Sequence, residues 1–402
     1  MFASEPTYAR RAQGMRASEI RELLKLLERP GIISFAGGIP DPVLFPADLA
    51  AEAYRRALTS AETAASAMQY SVSEGFAPLR EWIADQMILE GVPATSEHIV
   101  ITAGSQQGLD FLGKLLLDPG DTALTCAPTY LGALQAFSAY EPRYDALRPK
   151  DGNRTPASYA EAAAANGGRV KLLYAVPDFA NPTGETLSVA VRRGLLDLAR
   201  DLDAPILEDA AYRALRFEGA ALPSLQALDV AETGSLDASR VIHLGTFSKT
   251  IAPGLRVGWV CASRAIIRRL VLITQASELN VSVINQMVMR DLAATRHAAL
   301  IAAAREHYRV KRDAMLAALA AHMPPGVVWT RPEGGLFIWL TLPEGVDGAT
   351  LLSRAVAEAS VAFVPGDAFH PLGGGANTIR LSYSLPSPEA IGQGIQALAR
   401  LL

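Results

Sequence analysis

Cysteine is scarce: the 402-residue chain carries two, Cys126 and Cys261, far apart and each inside an apolar run. A disulfide framework is thereby excluded, and both residues read as buried free thiols of a reducing compartment, so a cytoplasmic protein is expected. No uncharged apolar stretch is long enough to span a bilayer, and the segment from Met1 to Arg11 has no apolar core of signal-peptide length. No basic run exceeds a pair and the formal net charge is −4, which argues against a nucleic-acid partner, because counterion-driven binding needs a concentrated basic face. The six histidines are scattered, with no H-E-x-x-H or similar ligand spacing, so no metal site is expected. Internal repeats and low-complexity segments are absent as well.

Half of the residues are hydrophobic and 19% are charged, the composition of a folded chain with ample core. The length exceeds what one core usually supports, which favours two lobes. Short apolar runs alternate with helical patterns from Ile99 to Ser263; the strand candidates are Ile99 to Thr102, Thr122 to Cys126, Val170 to Val176, Ile206 to Glu208, Val241 to Leu244 and Val257 to Cys261. Such alternation predicts an α/β fold with a mostly parallel sheet between helices, whose ligands gather at the carboxyl ends of the strands. A long mixed-polarity helix is expected around Arg296 to His322, with Arg264 to Arg290 as a bridge. Short strands at Val327 to Thr330, Leu336 to Thr341, Val361 to Val364 and Thr378 to Ser382 then predict a smaller α+β lobe that ends in Pro388 to Leu402.

The most informative segment runs from Val241 to Arg256. An apolar strand ends in Thr246, Ser248 and Lys249, and Arg256 follows seven positions after the lysine, beyond a Pro-Gly turn. An amine, hydroxyls and a fixed positive charge at one rim suit pyridoxal phosphate, whose aldehyde needs a lysine and whose phosphate needs donors. Three other strand ends complete the set. Ser105 stands near the N-terminus of a helix expected over Gln106 to Leu117, where backbone N–H groups and the dipole favour a phosphate; taken alone, the segment reads better as an ordinary βα turn with Ser105 as the helix cap. Glu208 and Asp209 end an apolar run and point to opposite faces, so one is free for solvent while Asp209 is the candidate partner of a protonated pyridine nitrogen. Asn181 lies in an Asn-Pro-Thr-Gly turn, from which its amide can reach the cofactor's phenolate oxygen.

Taken together, the order, spacing and strand-end placement of these segments resemble the fold type I pyridoxal-phosphate enzymes, and within them the class I and II aminotransferases. The likeness covers nearly the whole chain, from about Gly14, and includes Ile33 to Pro40, Gln69 to Ser71, Ala127 to Tyr130, Pro332 to Phe337 and Asn377 to Tyr383; the branch it is most similar to holds the 2-aminoadipate (kynurenine-type) aminotransferases. The resemblance implies a large domain over residues 49–290, built on a seven-stranded sheet, a small domain over 291–402, and an N-terminal arm over 1–48 that joins the small domain. It implies that Lys249 carries the cofactor and then acts as the base, with Asp209 and Tyr212 beside it. Tyr130 would stack on the ring, Asn181 and Tyr212 would donate to the phenolate oxygen, and Ser105, Gln106, Thr246, Ser248 and Arg256 would hold the phosphate.

Tyr70 resembles a residue that reaches the phosphate of a neighbouring subunit, which implies a homodimer with shared active sites. Arg380 alternates with Ile379 and Leu381, and alternation alone predicts a solvent-facing side chain; the resemblance makes it the bidentate grip on the substrate carboxylate, with Asn181 and the backbone of Gly38 nearby. Ser18 and Arg21 would line the side-chain pocket, although on the helix from Ser18 to Glu28 Arg21 shares the polar face with Glu22 and Lys25. Asp178-Phe-Ala180 precedes Asn181 where the related pattern often has glutamine beside the asparagine. The expected reaction passes an amino group from an amino acid (2-aminoadipate, aromatic, branched or apolar) to a 2-oxo acid, foremost 2-oxoglutarate, by a ping-pong cycle. A lyase or decarboxylase on the same fold is the alternative. A non-catalytic sensor domain is disfavoured because no helix-turn-helix or basic region precedes the core.

Overall fold

The computed structural model describes residues 8–13 and 31–402. In chain order its strands are β1 (Ile33–Ser34), β2 (Ile99–Thr102), β3 (Thr122–Cys126), β4 (Arg143–Leu147), β5 (Val170–Ala175), β6 (Ile206–Asp209), β7 (Val241–Thr246) and β8 (Gly258–Cys261). There follow β9 (Val328–Trp329), β10 (Phe337–Thr341), β11 (Val361–Ala362), β12 (Val364–Pro365) and β13 (Thr378–Ser382). Strands β2 to β8 form one seven-stranded sheet in the order β2-β8-β7-β6-β5-β3-β4. Only β8 runs against its neighbours, β2 and β7; every other pairing is parallel. Helices cover both faces, so β2, β6 and β7 are buried along their whole length, which is why they show no alternation of apolar and exposed positions. A parallel sheet of this kind brings its strand ends, and whatever the following loops carry, to one edge.

Strand β4 was not expected. Its sequence Arg-Tyr-Asp-Ala-Leu is polar because this edge, unlike the covered one at β2, is part-exposed, with Arg143 exposed and only Leu147 fully buried. The long helix is longer than expected: it runs from Val283 to His322, 40 residues, so there is no separate bridge over Arg264 to Arg290. Residues 264–277 form their own helix, Arg264–Ser277, which packs on the helix Ser105–Leu116. The run Val361 to Val364 is divided between two sheets, since β11 pairs with β1 while β12 pairs with β13. The four-stranded sheet β12-β13-β10-β9 is antiparallel, with β13 and β10 in its centre. The long helix packs against both the helix Ala47–Thr59 and the helix Pro388–Ala399, and one hydrophobic cluster runs continuously from the seven-stranded sheet (Leu207, Ile242) to the four-stranded one (Phe337, Leu381).

Candidate active site

Five strand ends, those of β2, β3, β5, β6 and β7, meet at one cavity of about 150 Å³, lined by Ser105, Gln106, Tyr130, Asn181, Asp209 and Tyr212, together with Thr246, Ser248, Lys249 and Arg256. Each arrives for a local reason. After β2, Gly104 takes a left-handed φ of 85° and caps the helix Ser105–Leu116, so the first N–H groups of that helix face the cavity. A side chain on Gly258 would stand 2.7 Å from the Ser105 nitrogen, so that glycine lets β8 pass directly beneath the helix N-terminus. Arg256 is itself left-handed (φ 54°) and donates from Nη2 to the Ala103 carbonyl at 2.9 Å, which fixes a guanidinium at the same terminus. After β7, the Thr246 hydroxyl donates to Ser248 Oγ at 3.0 Å and accepts the Ser248 N–H at 3.1 Å, a closed turn that delivers Lys249. Gln106 donates to the Gly132 carbonyl at 2.6 Å and accepts from the Tyr130 hydroxyl at 3.4 Å.

Lys249 Nζ donates to the Gly38 carbonyl at 3.0 Å and lies 5.9 Å from the centre of the Tyr212 ring. Burial pushes its ammonium down to about 8, with Arg380 and Arg256 adding like-charge repulsion. Gly38 has no room for a side chain: a Cβ there would sit 2.4 Å from the Phe337 ring. Asp209 is 3% exposed, accepts the Tyr174 hydroxyl at 2.8 Å and the Ala211 N–H at 3.2 Å, and is nevertheless raised above the ordinary carboxylate value by burial. Asn181 donates to Tyr212 Oη at 3.4 Å. The expectation that the other carboxylate of the pair is solvated is corrected here. Glu208 is also buried, accepts the N–H groups of Leu225 and Gln226 at the start of the helix Leu225–Thr233, and pairs with His243 at 3.2 Å.

Arg380 overturns simple alternation. It lies on β13 between β12 and β10 and is 1% exposed, because that central strand is covered on both faces. Its guanidinium stands 4.3 Å and 5.0 Å from the ring centres of Phe337 and Phe369, and donates to Asn181 Oδ1 at 2.8 Å and to the Ala36 carbonyl at 2.6 Å. Burial pushes it down to about 10, so it stays charged at neutral pH. Its Nε is buried without a hydrogen-bond partner among the described residues. Tyr174, Phe337 and Phe369 are contributors that the sequence reading left without a role. Tyr70 does not line the cavity and is 78% exposed. Ser18 and Arg21 lie outside the described residues.

The charges decide what the cavity can take. Lys249 and Arg256 line the cavity with one carboxylate, Asp209, and Arg380, bonded to the lining residue Asn181, adds a further positive charge just outside it. A phosphate at the Ser105 helix N-terminus and Arg256, and a carboxylate at Arg380, would balance these charges. Between them stand an amine for the aldehyde, an acid for a ring nitrogen and two donors for a phenolate, so these residues fit pyridoxal phosphate. A larger cavity, of about 710 Å³, is lined by Trp82, Arg213, Phe217 and Arg305 and shares Ala211 and Thr246 with this one. It does not contain Lys249, so size is no guide to the chemistry here. Among the described residues no cluster of three or more His, Cys, Asp or Glu is placed to hold a metal ion, and no helix is long and apolar enough to cross a membrane.

Comparison with known proteins gives the same picture. The family model described as aminotransferase class I and II matches residues 41–398. A 2-aminoadipate transaminase from Thermus thermophilus is 42% identical over 98% of this chain and 96% of its own length. An aromatic-amino-acid aminotransferase from Thermococcus litoralis is 40% identical, with 99% and 94% covered. The crystal structure of an α-aminoadipate aminotransferase from Thermus thermophilus, complexed with N-(5'-phosphopyridoxyl)-L-leucine, superposes with a TM-score of 0.87 at 40% identity, covering 98% of this chain and 97% of that one.

Proposed function

Because this chain belongs to the class I and II aminotransferases and uses pyridoxal phosphate, we propose that it moves the amino group of 2-aminoadipate, or of an aromatic or branched apolar amino acid, to 2-oxoglutarate by a ping-pong cycle. The observation that carries this reading is the buried amine of Lys249 set between Asp209 and Arg380. The cofactor supplies an aldehyde for the incoming amine and a ring that accepts electrons from the α-carbon. The roles of the side chains follow from their positions. Arg380 takes the α-carboxylate, with its unpaired Nε and the Asn181 amide at hand. Lys249 Nζ, neutral in a useful fraction near pH 8, would take the α-proton and return it two bonds away, to the carbon on the far side of the intervening nitrogen. Asp209 keeps the ring nitrogen protonated, Asn181 and Tyr212 donate to the phenolate, and Tyr130 covers the ring. Ser105, Gln106, Thr246, Ser248 and Arg256 hold the phosphate, and the Gly38 backbone meets the substrate. Ser18 and Arg21 bear on the side chain.

We assign the active unit as a homodimer in which Tyr70 serves the neighbouring site. Met68, Tyr70, Val72 and Leu279 form an exposed apolar patch, held together by bonds from Ser71 to Asn280 and from Ser73 to the Leu279 carbonyl, and such patches are usually covered. The division into an arm (1–48), a large domain (49–290) and a small domain (291–402) belongs to the same proposal, supported by the pairing of β1 with β11; the second boundary then falls inside the long helix. Free thiols at Cys126 and Cys261 support a cytoplasmic location. The test is a half-reaction. Holoenzyme given 2-aminoadipate alone should release one equivalent of 2-oxoadipate and stop, and 2-oxoglutarate added afterwards should yield one equivalent of glutamate. Lys249→Ala should do neither. Release of carbon dioxide or ammonia in place of these products would refute the proposal.

A further inference from the structure

Tyr174 lies near the end of β5, next to β6, and is fully buried. Its hydroxyl donates to Asp209 Oδ2 at 2.8 Å, while the other carboxylate oxygen accepts the Ala211 N–H. These are the two hydrogen bonds that the Asp209 carboxylate accepts among the described residues, and Tyr174 supplies the one that comes from a side chain. The charged neighbours are otherwise engaged: His243 is bound to Glu208, and Lys249 to the Gly38 carbonyl. Tyr212 and Tyr130 stand nearby, but Tyr212 accepts from Asn181 and Tyr130 donates to Gln106. The Tyr174 ring is held in place by an edge-to-face contact with Phe137, with centroids 6.0 Å apart and planes at 81°.

We infer that Tyr174 is a positioning residue for the cofactor: its hydroxyl holds Asp209 as an oriented carboxylate and thereby keeps the pyridine nitrogen of bound pyridoxal phosphate protonated. This rests on the reading of Asp209 given above. The physical reason is the cost of the buried anion. Burial favours the neutral acid, and each hydrogen bond to the ionised form opposes that tendency. Burial also pushes the Tyr174 phenol well above its ordinary value, so it remains a donor throughout the working range and never competes as an anion. One proton lies between the Asp209 oxygen and the ring nitrogen. With the Tyr174 bond in place it stays on nitrogen; without the bond Asp209 becomes the stronger base and the proton moves to oxygen, with no net uptake or release.

The experiment uses holoenzyme reconstituted with pyridoxal phosphate labelled with ¹⁵N in the ring. In Tyr174→Phe, which keeps the ring and loses the hydroxyl, the nitrogen signal should move toward that of an unprotonated pyridine, and kcat should fall roughly tenfold to a hundredfold, the size of one hydrogen bond to a charged group. KM for the amino donor should be little changed, because Arg380 is untouched. Phe137→Leu disturbs the packing of the same tyrosine without removing its bond, so it should lower stability and leave the nitrogen signal where it is. An unmoved signal in Tyr174→Phe, or an equal shift in Phe137→Leu, would overturn the inference. Asp209→Asn separates the two levels of the argument. If it too leaves the nitrogen protonated, the Asp209 assignment fails; if it deprotonates the nitrogen while Tyr174→Phe does not, only the role of Tyr174 fails.

Discussion

Lys249 differs from a surface lysine in one measurable way. An ordinary lysine gains neutral amine steadily up to about pH 10.4, whereas burial beside Arg380 and Arg256 brings this one down to about 8. The neutral form is the one that condenses with an aldehyde. The rate at which the apoprotein captures pyridoxal phosphate should therefore rise roughly tenfold per pH unit below 8 and level off above it. Stopped-flow absorbance between pH 6 and 10 measures this, and a rate still climbing at pH 9.5 would mean that the amine is not desolvated. Lys249, Ser248 and Thr246 were legible because the strand end, hydroxyls and amine are neighbours in the chain. Tyr174 was not, since its partner Asp209 is 35 residues away on the adjacent strand. Glu208 was misread for the same reason: the N–H groups that justify its burial belong to Leu225 and Gln226.

Among the connecting segments, the turn between β5 and Asn181 has Ala180 where the related pattern often has glutamine, and it is anchored two residues earlier, at Asp178. Asp178 accepts from Arg192 at 2.8 Å, Arg213 at 3.0 Å and Arg216 at 3.1 Å, so one carboxylate ties the turn that presents Asn181 to the segment that follows Tyr212. Arg216 also lies over the ring of Phe179, at 4.7 Å. Arg192 is fully buried and has Asp178 as its acidic partner. Asp178→Ala would strand that charge, at about 3–5 kcal/mol of stability. Glu333→Ala, which removes an exposed partner of Arg216, should cost no more than about 1 kcal/mol. Urea unfolding of both variants compares them, and equal losses would show that Asp178 is not the keystone of these two segments. The elements themselves were legible in proportion to their burial. Strands covered on both faces kept an apolar run, whereas β4, part-exposed along most of its length, did not. The start of the long helix was missed by about four turns because Val283 to Arg296 packs within the large core and carries the apolar pattern of a buried segment.

For the molecule as a whole, the proposed pairing of two chains can be tested without a structure of the dimer. Lys249→Ala and Tyr70→Phe should each depress activity, yet a mixture refolded together should recover part of it, because one site of the hybrid then draws an intact lysine from one chain and an intact tyrosine from the other. A mixture no more active than the mean of its parents would leave Tyr70 an exposed side chain and nothing more. Within a single chain, the bond from Arg380 to Asn181 has a similar reach. One partner stands on the four-stranded sheet and the other follows a strand of the seven-stranded one, so the contact is a clasp between the two halves of the protein. On the proposed role of Arg380, a substrate carboxylate would meet the guanidinium as an ion pair beside the rings of Phe337 and Phe369. If Arg380 takes the substrate carboxylate as proposed, the ligand is gripped at the seam itself, and whatever loosens that grip is felt by both sheets at once.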